Sequence, residues 1–476
     1  MIGLYTAEQV RAAEVARMRE VPTGELMQRA SYGLAQVVQR LLHESTGGVY
    51  GRSVVLLVGP GGNGGDALYA GVTLRRRGVA VAALLVREQT YPGAMPDYLA
   101  AGGTVLDEAE AAGALAGADA VIDGIAGLGS GRAVGLARPI TTALAAHRCV
   151  VAVDVPSGVA VDTGRVAEDA VRAHTTVTFG CHKNAHFLAP AAQHCGEVEL
   201  VDIGLGAHLP PAVAGVLSAD EVYDAWPRQP YDGHKYATGV VAIAAGSAKY
   251  PGAAVLCVGG ALRAKAGMVR YVGDPAALER VVAAWPECVA ETSVSRAGRA
   301  QAWVVGPGLG TDRSAASILD EVLATDVPVL VDADGLTLLK GRTHRLAERG
   351  APTVLTPHAG EFERIFFPID DPLSAAQRAA DESGCVVLLK GPTTVVAAPG
   401  APALVNPTGT ARLATAGTGD ILAGVAGALL ASGVEPRRAA AMAAYAHGEA
   451  AGSAPGPLVA SDLPRLLHDR LAARLG

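Results

Sequence analysis

The stretch Asn406–Gly424 reads N-P-T-G-T-A-R-L-A-T-A-G-T-G-D-I-L-A-G. Small residues dominate it as far as Asp420. A helical pattern then follows, with Ile421, Leu422, Val425, Ala428 and Leu429 at helical spacing. A glycine turn that opens a helix leaves backbone N–H groups unpaired, and the helix dipole adds positive charge there. Together these make an anion site. Gly417 and Gly419 let phosphate oxygens approach the backbone closely. A carboxylate at Asp420 would repel a phosphate, so its place beside the turn suits a base aimed at a hydroxyl or a water. An N-capping aspartate is the competing reading.

The rest of the chain supports a ligand site. At 476 residues, two or three domains are expected. The apolar fraction of 50% is ample for large cores. Aromatics at 4% leave little surface for stacking bases, and a net charge of −7 argues against a nucleic-acid partner. The 59 glycines cluster in loops, which favours many phosphate-type turns. The six cysteines, Cys149, Cys181, Cys195, Cys257, Cys288 and Cys385, show no C-x-x-C spacing and read as core thiols. No signal-peptide pattern or membrane-length apolar run is apparent, so a cytoplasmic protein without a membrane partner is expected.

In the first half, Thr6 to Leu42 reads as helical, with Thr6 and Gln9 as a capping box. Ser53–Gly59 then reads as a buried strand running into G-P-G-G-N-G-G-D, Gly59 to Asp66. Gly59, Gly61 and Gly64 form a G-x-G-x-x-G after a strand and before a helix, which fits a dinucleotide turn. Further strands are read near Val79–Val86, Ala118–Ile125, Cys149–Val155, Thr175–Phe179 and Glu197–Ile203. Asp123 and Asp154 fall at strand ends, and Ser157 follows closely. Asn63 adds a carbonyl oxygen suited to a hard cation. Lys183, in T-F-G-C-H-K, reads by itself as a solvated charge. His182, His186 and His194 lie in a loop-rich region without helical metal-ligand spacing.

The proline-bearing stretch from Gly206 to Lys235 holds no long apolar run and marks a boundary near residues 210 to 225. A second α/β series follows, and both halves are expected to carry mainly parallel sheets. Its glycine and acidic turns are Gly306–Gly310, Asp332–Leu336, Thr356–Glu361, Lys390–Thr394 and the Asp420 turn. Parallel strands would bring these to one sheet edge. Glycine amides, a cation and one carboxylate are what phosphoryl chemistry requires.

Together these motifs resemble the bifunctional NAD(P)H-hydrate repair enzymes, which fuse an NAD(P)H-hydrate epimerase to an ADP-dependent NAD(P)H-hydrate dehydratase. The first half carries the resemblance in Y-T-A-E-Q-V at Tyr5, the Gly59 loop, and D-V-P-S-G-V-A-V-D-T-G at Asp154. The second half carries it in H-K-Y-A-T-G at His234, G-S-A-K-Y-P-G-A-A at Gly246, G-P-G-L-G, D-A-D-G-L, T-P-H-A-G-E and T-A-G-T-G-D. The resemblance implies an α/β protein of two domains. Residues 1–215 would be a Rossmann-like three-layer sandwich, the epimerase. Residues 216–476 would be a ribokinase-like dehydratase.

It also implies the site residues. Gly62, Asn63, Gly64, Gly65, Asp66, Gly127, Leu128, Gly129, Ser130, Gly131, Arg132, Ala133 and Asp154 would hold the hydrate in the epimerase. Lys183 falls where the family has a lysine near the reacting centre, and Asn63, Asp123 and Ser157 would ligate K+. In the dehydratase, Ala253, Gly308, His358 and Asp420 would contact the hydrate. Lys390, Gly391, Pro392, Thr393, Thr394 and Gly419 would contact ADP, with ATP as the alternative and Mg2+ as companion ion. Asp420, Asp154 and Lys183 are the implied catalytic residues, and a homo-oligomer is expected. The chain departs from the family pattern at Gly62 and Ala67, where Asn and Gly are usual, and at Thr410, Arg412 and Leu413. Three readings compete: a ribokinase-like small-molecule kinase, an NAD-dependent dehydrogenase and a non-catalytic scaffold.

Overall fold

The computed structural model describes residues 1–128, 131–229, 231 and 236–475. The chain divides into two compact units, Gly3–Ala214 and Gly215 onward, the latter joined by Met1 and Ile2.

The first unit is built on a parallel sheet. Its strands run in the order Thr104–Leu106, Ala80–Leu85, Ser53–Val58, Ala120–Gly124, Val150–Val153, Thr175–Phe179 and Glu197–Val201. Side chains alternate between its two faces, as strand geometry requires. Val54, Leu56 and Val58 pack with Leu34, Val38 and Leu42 of the helix Glu25–Thr46, and with Leu68 and Leu74 of the helix Gly62–Arg76. Val55 and Leu57 face the other way, onto Leu115 and Leu144 of the helices Glu108–Gly117 and Arg138–Ala146. Three layers result, as the family resemblance implies. The first strand in sequence, Ser53–Val58, lies inside the sheet, and the strand order reverses beside it. That switch point is where an open α/β sheet leaves a crevice at its carboxyl edge.

The second unit repeats the plan. Its parallel strands run Val289–Glu291, Met268–Val272, Val240–Ala244, Ala302–Val305, Val329–Val331, Thr353–Leu355 and Val386–Leu389. Thr394–Ala398 and Ala401–Asn406 then extend the sheet antiparallel. Val241 and Ile243 face the helices Pro251–Arg263, Thr418–Ala431 and Pro436–Gly452, whereas Ala242 and Ala244 face the helix Arg313–Leu323. The switch point lies between Val240–Ala244 and Ala302–Val305.

Several readings need correction. The single helical stretch from Thr6 to Leu42 is two helices, Ala7–Met18 and Glu25–Thr46. Pro22 and the left-handed Gly24, at φ 84°, separate them. The capping box of Thr6 with Gln9 forms as read. The region from Gly206 to Lys235 holds a short strand, Ala214–Val216, and a helix, Ala219–Asp224, whose Ser218 and Glu221 make a second capping box. Asn406 ends an antiparallel strand that the alanines and Pro402 conceal. The six cysteines are free, five of them buried and Cys149 half-buried. Among the described residues no helix is long and apolar enough to cross a membrane.

Two helices of the second unit cross at glycines. A Cβ on Gly424 would lie 2.0 Å from the Cys257 carbonyl oxygen, and one on Gly260 would lie 2.4 Å from that of Ile421. Both obstacles are backbone, so neither can rotate away. Gly424→Ala gains about 1 kcal/mol of helix propensity. The overpacking costs about 1–3 kcal/mol or more, and it wins. Urea unfolding should therefore show a net loss of stability, and a variant as stable as the parent would refute this close crossing.

Candidate functional sites

In the first unit the loops after Ser53–Val58 and Ala120–Gly124 meet at the switch point. The Gly59 N–H donates to the Gly124 carbonyl at 3.1 Å. A Cβ on Gly59 would stand 1.8 Å from the Ile125 carbonyl oxygen, and one on Gly127 would stand 2.4 Å from Asn63 Oδ1. Gly59 is required by close backbone approach, and Gly127 makes room for the Asn63 side chain. A cavity of about 850 Å³ opens beside them. Gly61, Gly62, Asn63, Asp66, Gly127, Leu128, Arg132, Ala133 and Asp154 border it. Gly64 and Gly65 serve packing instead: a side chain on Gly64 would strike the Gly59 carbonyl, and one on Gly65 would strike the Tyr91 ring. Gly131, at φ 101°, packs against Ala160. Gly129 and Ser130 lie outside the described residues, as does His234 of the H-K-Y-A-T-G motif. The helix Ala7–Met18 contributes Arg11, Glu14 and Met18 to the wall, and Tyr91 adds an aromatic ring. Sequence reasoning missed these four, because their spacing matches that of any surface helix or loop.

Behind the cavity, Asp154 and Lys183 form a buried ion pair at 2.5 Å, with side chains 6% and 1% exposed. Lys183 is thus no solvated surface charge. Its Nζ also donates to Thr178 Oγ1 at 2.8 Å and to the Phe179 carbonyl at 3.0 Å. Thr178 Oγ1 in turn donates to Asp154 Oδ1 at 3.0 Å. Burial works against the Asp154 charge, but the Lys183 ammonium outweighs it and holds the carboxyl below its usual range. Asp154 adopts φ 66°, the left-handed region, directly after a strand. His186 hydrogen-bonds the Asp154 carbonyl at 2.9 Å, and burial with Lys183 nearby pushes its pKa down to about 3. It is therefore a neutral support at physiological pH. Asp123 is fully buried and accepts from Ser157 Oγ at 2.6 Å, Ser157 N at 2.8 Å and Ile125 N at 3.3 Å. Asn63 Nδ2 donates to the carbonyls of Val153 and Ala126 at 2.5 and 3.2 Å.

In the second unit the loops after Val240–Ala244 and Ala302–Val305 meet likewise. The Gly246 N–H donates to the Pro307 carbonyl at 2.7 Å, and Ser247 Oγ to the Gly308 carbonyl at 2.8 Å. Gly308, at φ 61°, lies so close to Ala253 that a Cβ would stand 2.7 Å from that of Ala253. Lys390 follows the strand Val386–Leu389. Its Nζ contacts Asp332 Oδ1 at 2.8 Å and Glu361 Oε2 at 3.9 Å. Burial opposes the Lys390 charge, yet Asp332 and Glu361 raise its pKa. His358 caps the helix Ala359–Ile365 in a capping box with Glu361 and pairs its backbone with Lys390. Gly419 stands over this pair, since a Cβ there would lie 3.4 Å from Lys390 Nζ and 4.0 Å from Asp332 Oδ2.

Asp420 is not a capping residue. Gly417, at φ 90°, occupies the cap position of the helix Thr418–Ala431, and Asp420 lies inside its first turn. Burial and then the Asp332 carboxylate push the Asp420 pKa up to about 7, against the pull of Lys390. A carboxyl so poised is a competent base near neutral pH. The structure thus brings together Lys390, Gly419, Asp420, Asp332 and Glu361. The last two sit in quoted motifs, D-A-D-G-L and T-P-H-A-G-E, to which sequence reasoning gave no role. Gly391, Pro392, Thr393 and Thr394 form the turn between Val386–Leu389 and Thr394–Ala398, with Gly391 and Pro392 exposed and Thr394 buried.

Comparison with known proteins accounts for both halves. Residues 23–185 match the family described as YjeF-related protein N-terminus, and residues 241–472 match that described as NAD(P)H-hydrate dehydratase. The bifunctional NAD(P)H-hydrate repair enzyme Nnr of Mycobacterium tuberculosis is 49% identical over 443 residues, covering 92% of this chain and 91% of that protein. Its counterpart from Mycobacterium leprae is 47% identical over 461 residues, covering 95% of each. A crystal structure of the ADP/ATP-dependent NAD(P)H-hydrate dehydratase from Bacillus subtilis, co-crystallised with ATP and Mg2+, superposes with a TM-score of 0.51 at 30% identity. It covers 55% of this chain and 99% of its own. The chain therefore belongs to the bifunctional NAD(P)H-hydrate repair enzymes.

Proposed function

We propose that this chain repairs NADH and NADPH whose nicotinamide ring has been hydrated at C6. The Gly3–Ala214 unit interconverts the R and S forms, and the unit from Gly215 onward dehydrates the S form with ADP, yielding AMP and phosphate. The observation that carries the reading is Asp420, a half-buried carboxyl at the start of a helix, beside Gly419 and the Lys390 cation. The C6 hydroxyl oxygen attacks the terminal phosphoryl group of the nucleotide while its proton passes to Asp420. AMP leaves. The C6–O bond then breaks with phosphate as leaving group, a proton departs from C5, and the ring double bond returns. Lys390 and the unpaired amides of the Thr418–Ala431 helix offset the charge on the phosphoryl oxygens. Ala253, Gly308 and His358 line the hydrate, and Lys390–Thr394 with Gly419 hold the nucleotide.

Mg2+ would neutralise phosphoryl charge when bound. Among the described residues no three His, Cys, Asp or Glu side chains are grouped to hold a metal ion, so it would enter on the nucleotide phosphates, as this cation commonly does. In the first unit, Asp154 is the base, kept ionised by Lys183. The K+ assignment fits the donor chemistry. Asp123 is a wholly buried carboxylate with no ion-pair partner among the described residues, and Asn63 and Ser157 offer further oxygens nearby. Such hard oxygens suit a hard cation.

Asp420→Asn should lower dehydration about 10²–10⁴-fold, the usual weight of a general base, while ADP still binds. In the parent enzyme the base works only when ionised, so the dehydratase rate should fall as pH drops through about 7. Recovery of NADH absorbance and release of phosphate measure both. Wild-type turnover in the variant would remove Asp420 from the mechanism, and a stable phosphorylated product without phosphate release would favour a kinase.

Asp123→Ala should slow epimerisation and abolish its dependence on K+. The same rate in K+ and in a bulky organic cation, for parent and variant alike, would remove the cation from the epimerase.

Asp154→Asn should slow epimerisation and spare dehydration. Asn keeps the shape, and Lys183 keeps Thr178 and the Phe179 carbonyl as partners. With mixed epimers and ADP, a fast phase should consume the S form and leave the R form to decay at its spontaneous rate. Adding the Asp420→Asn protein should restore rapid completion. One fast phase consuming both forms would overturn this division of labour.

A further inference from the structure

We propose that Asp66 is the general acid of the epimerisation, giving its proton to the ring nitrogen N1 as the C6–N1 bond opens. The inference rests on the epimerase reading above and adds to it a second catalytic carboxyl. Asp66 is 7% exposed and borders the same cavity as Asp154. Its Oδ1 is buried without a hydrogen-bond partner. The contrast with Asp154 is chemical. Asp154 is neutralised by Lys183 and takes a hydrogen bond from Thr178. Asp66 has no cation paired to it among the described residues, although Arg11, Arg87 and Arg132 border the cavity. The groups that act on it are Asp154 and Glu14, both acidic.

A carboxyl so placed holds its proton to higher pH than an ordinary one. Burial, then Asp154, then Glu14 raise its pKa well above the ordinary value. Of the carboxyls bordering this cavity, Asp154 is thus biased toward its ionised form and Asp66, beside Glu14, toward its protonated form, the pattern that marks a base and an acid. The backbone also fixes Asp66 firmly. It follows Gly65, whose missing side chain leaves room for the Tyr91 ring, in the helix Gly62–Arg76.

The step balances. Asp154 takes the proton from the C6 hydroxyl, and the oxygen's electrons form a C6=O bond as the C6–N1 bond breaks. The electrons of that bond stay on N1, which receives the Asp66 proton. Rotation about C5–C6 turns the other face of the aldehyde toward N1. Ring closure then runs the same transfers backward, returning one proton to Asp66 and the other from Asp154 to the new hydroxyl. Both residues end as they began, and no further reactant is consumed.

The test is the epimerisation rate of the full-length protein across roughly pH 5 to 9. The R form serves as substrate, and added Asp154→Asn protein with ADP draws off the S form. In the parent, kcat should fall at alkaline pH as Asp66 loses its proton. Asp66→Asn should lower kcat about 10²–10⁴-fold, remove that alkaline limb and leave KM within a few-fold. Dehydration of the S form by the same protein should be unchanged. Its thermal midpoint above pH 7 should be no lower than the parent's. A raised carboxyl pKa means stability lost as pH rises, and Asn removes that loss. Near-parental kcat with the alkaline limb intact overturns the proposal. If Asp66→Asn does not fold, Glu14→Gln decides, because removing one acidic neighbour should move the limb to lower pH and an unmoved limb overturns it. A parent that epimerises nothing refutes the epimerase reading instead.

Discussion

Each unit depends on one constraint of parallel sheets. A sheet whose first strand lies inside it must send its crossovers in opposite directions from that strand. The loops on either side then diverge and leave a crevice at the carboxyl edge. In the first unit that crevice is flanked by the loops after Ser53–Val58 and Ala120–Gly124, and in the second by those after Val240–Ala244 and Ala302–Val305. The glycines there follow from the same constraint. Two loops that start from adjacent strands run close enough for backbone to touch backbone, as Gly59 does at Ile125 and Gly306 does at Asp332.

Buried charge is managed differently in the two places. In the first unit, Lys183 cancels Asp154, and a second carboxyl, Asp66, is left without such a partner. In the second unit Lys390 is shared by Asp332 and Glu361, and it only partly relieves Asp420. Each arrangement leaves carboxyls of unlike proton affinity near one another. Placing them on helix starts and strand ends, rather than on long free loops, keeps the differences fixed.

Much of this was legible in the sequence. The apolar runs gave the central strands to within a residue or two, because a strand buried on both faces has no polar positions to confuse it, whereas the short, half-exposed edge strands Thr104–Leu106 and Val289–Glu291 went unread. The glycine and acidic turns marked the sheet edge for the same reason. Pairing across distance was not legible. Nothing in T-F-G-C-H-K tells that Asp154 lies against Lys183, so a buried charge looked like a solvated one. Arg11 and Glu14 read as an ordinary helix surface, since the cavity they face is made by other segments. Asp332 was quoted for its motif and not for its charge, which matters only once Lys390 and Asp420 stand beside it. Pro402 disguised a strand, and Pro22 with Gly24 divided a helix whose apolar spacing continued past them.

The Asp154–Lys183 pair has a consequence for how this chain can change. Removing either partner leaves the other buried and uncompensated, at a cost of about 3–5 kcal/mol, a large part of a domain's whole stability. Replacing both at once by well-packed apolar residues is commonly neutral or better. Asp154 moreover occupies a left-handed position that glycine would fill with less strain. Single mutations thus meet a barrier that a double mutation does not. Lineages drifting one substitution at a time would keep both charges even after the need for their chemistry had gone. The fold itself guards the pair against gradual loss.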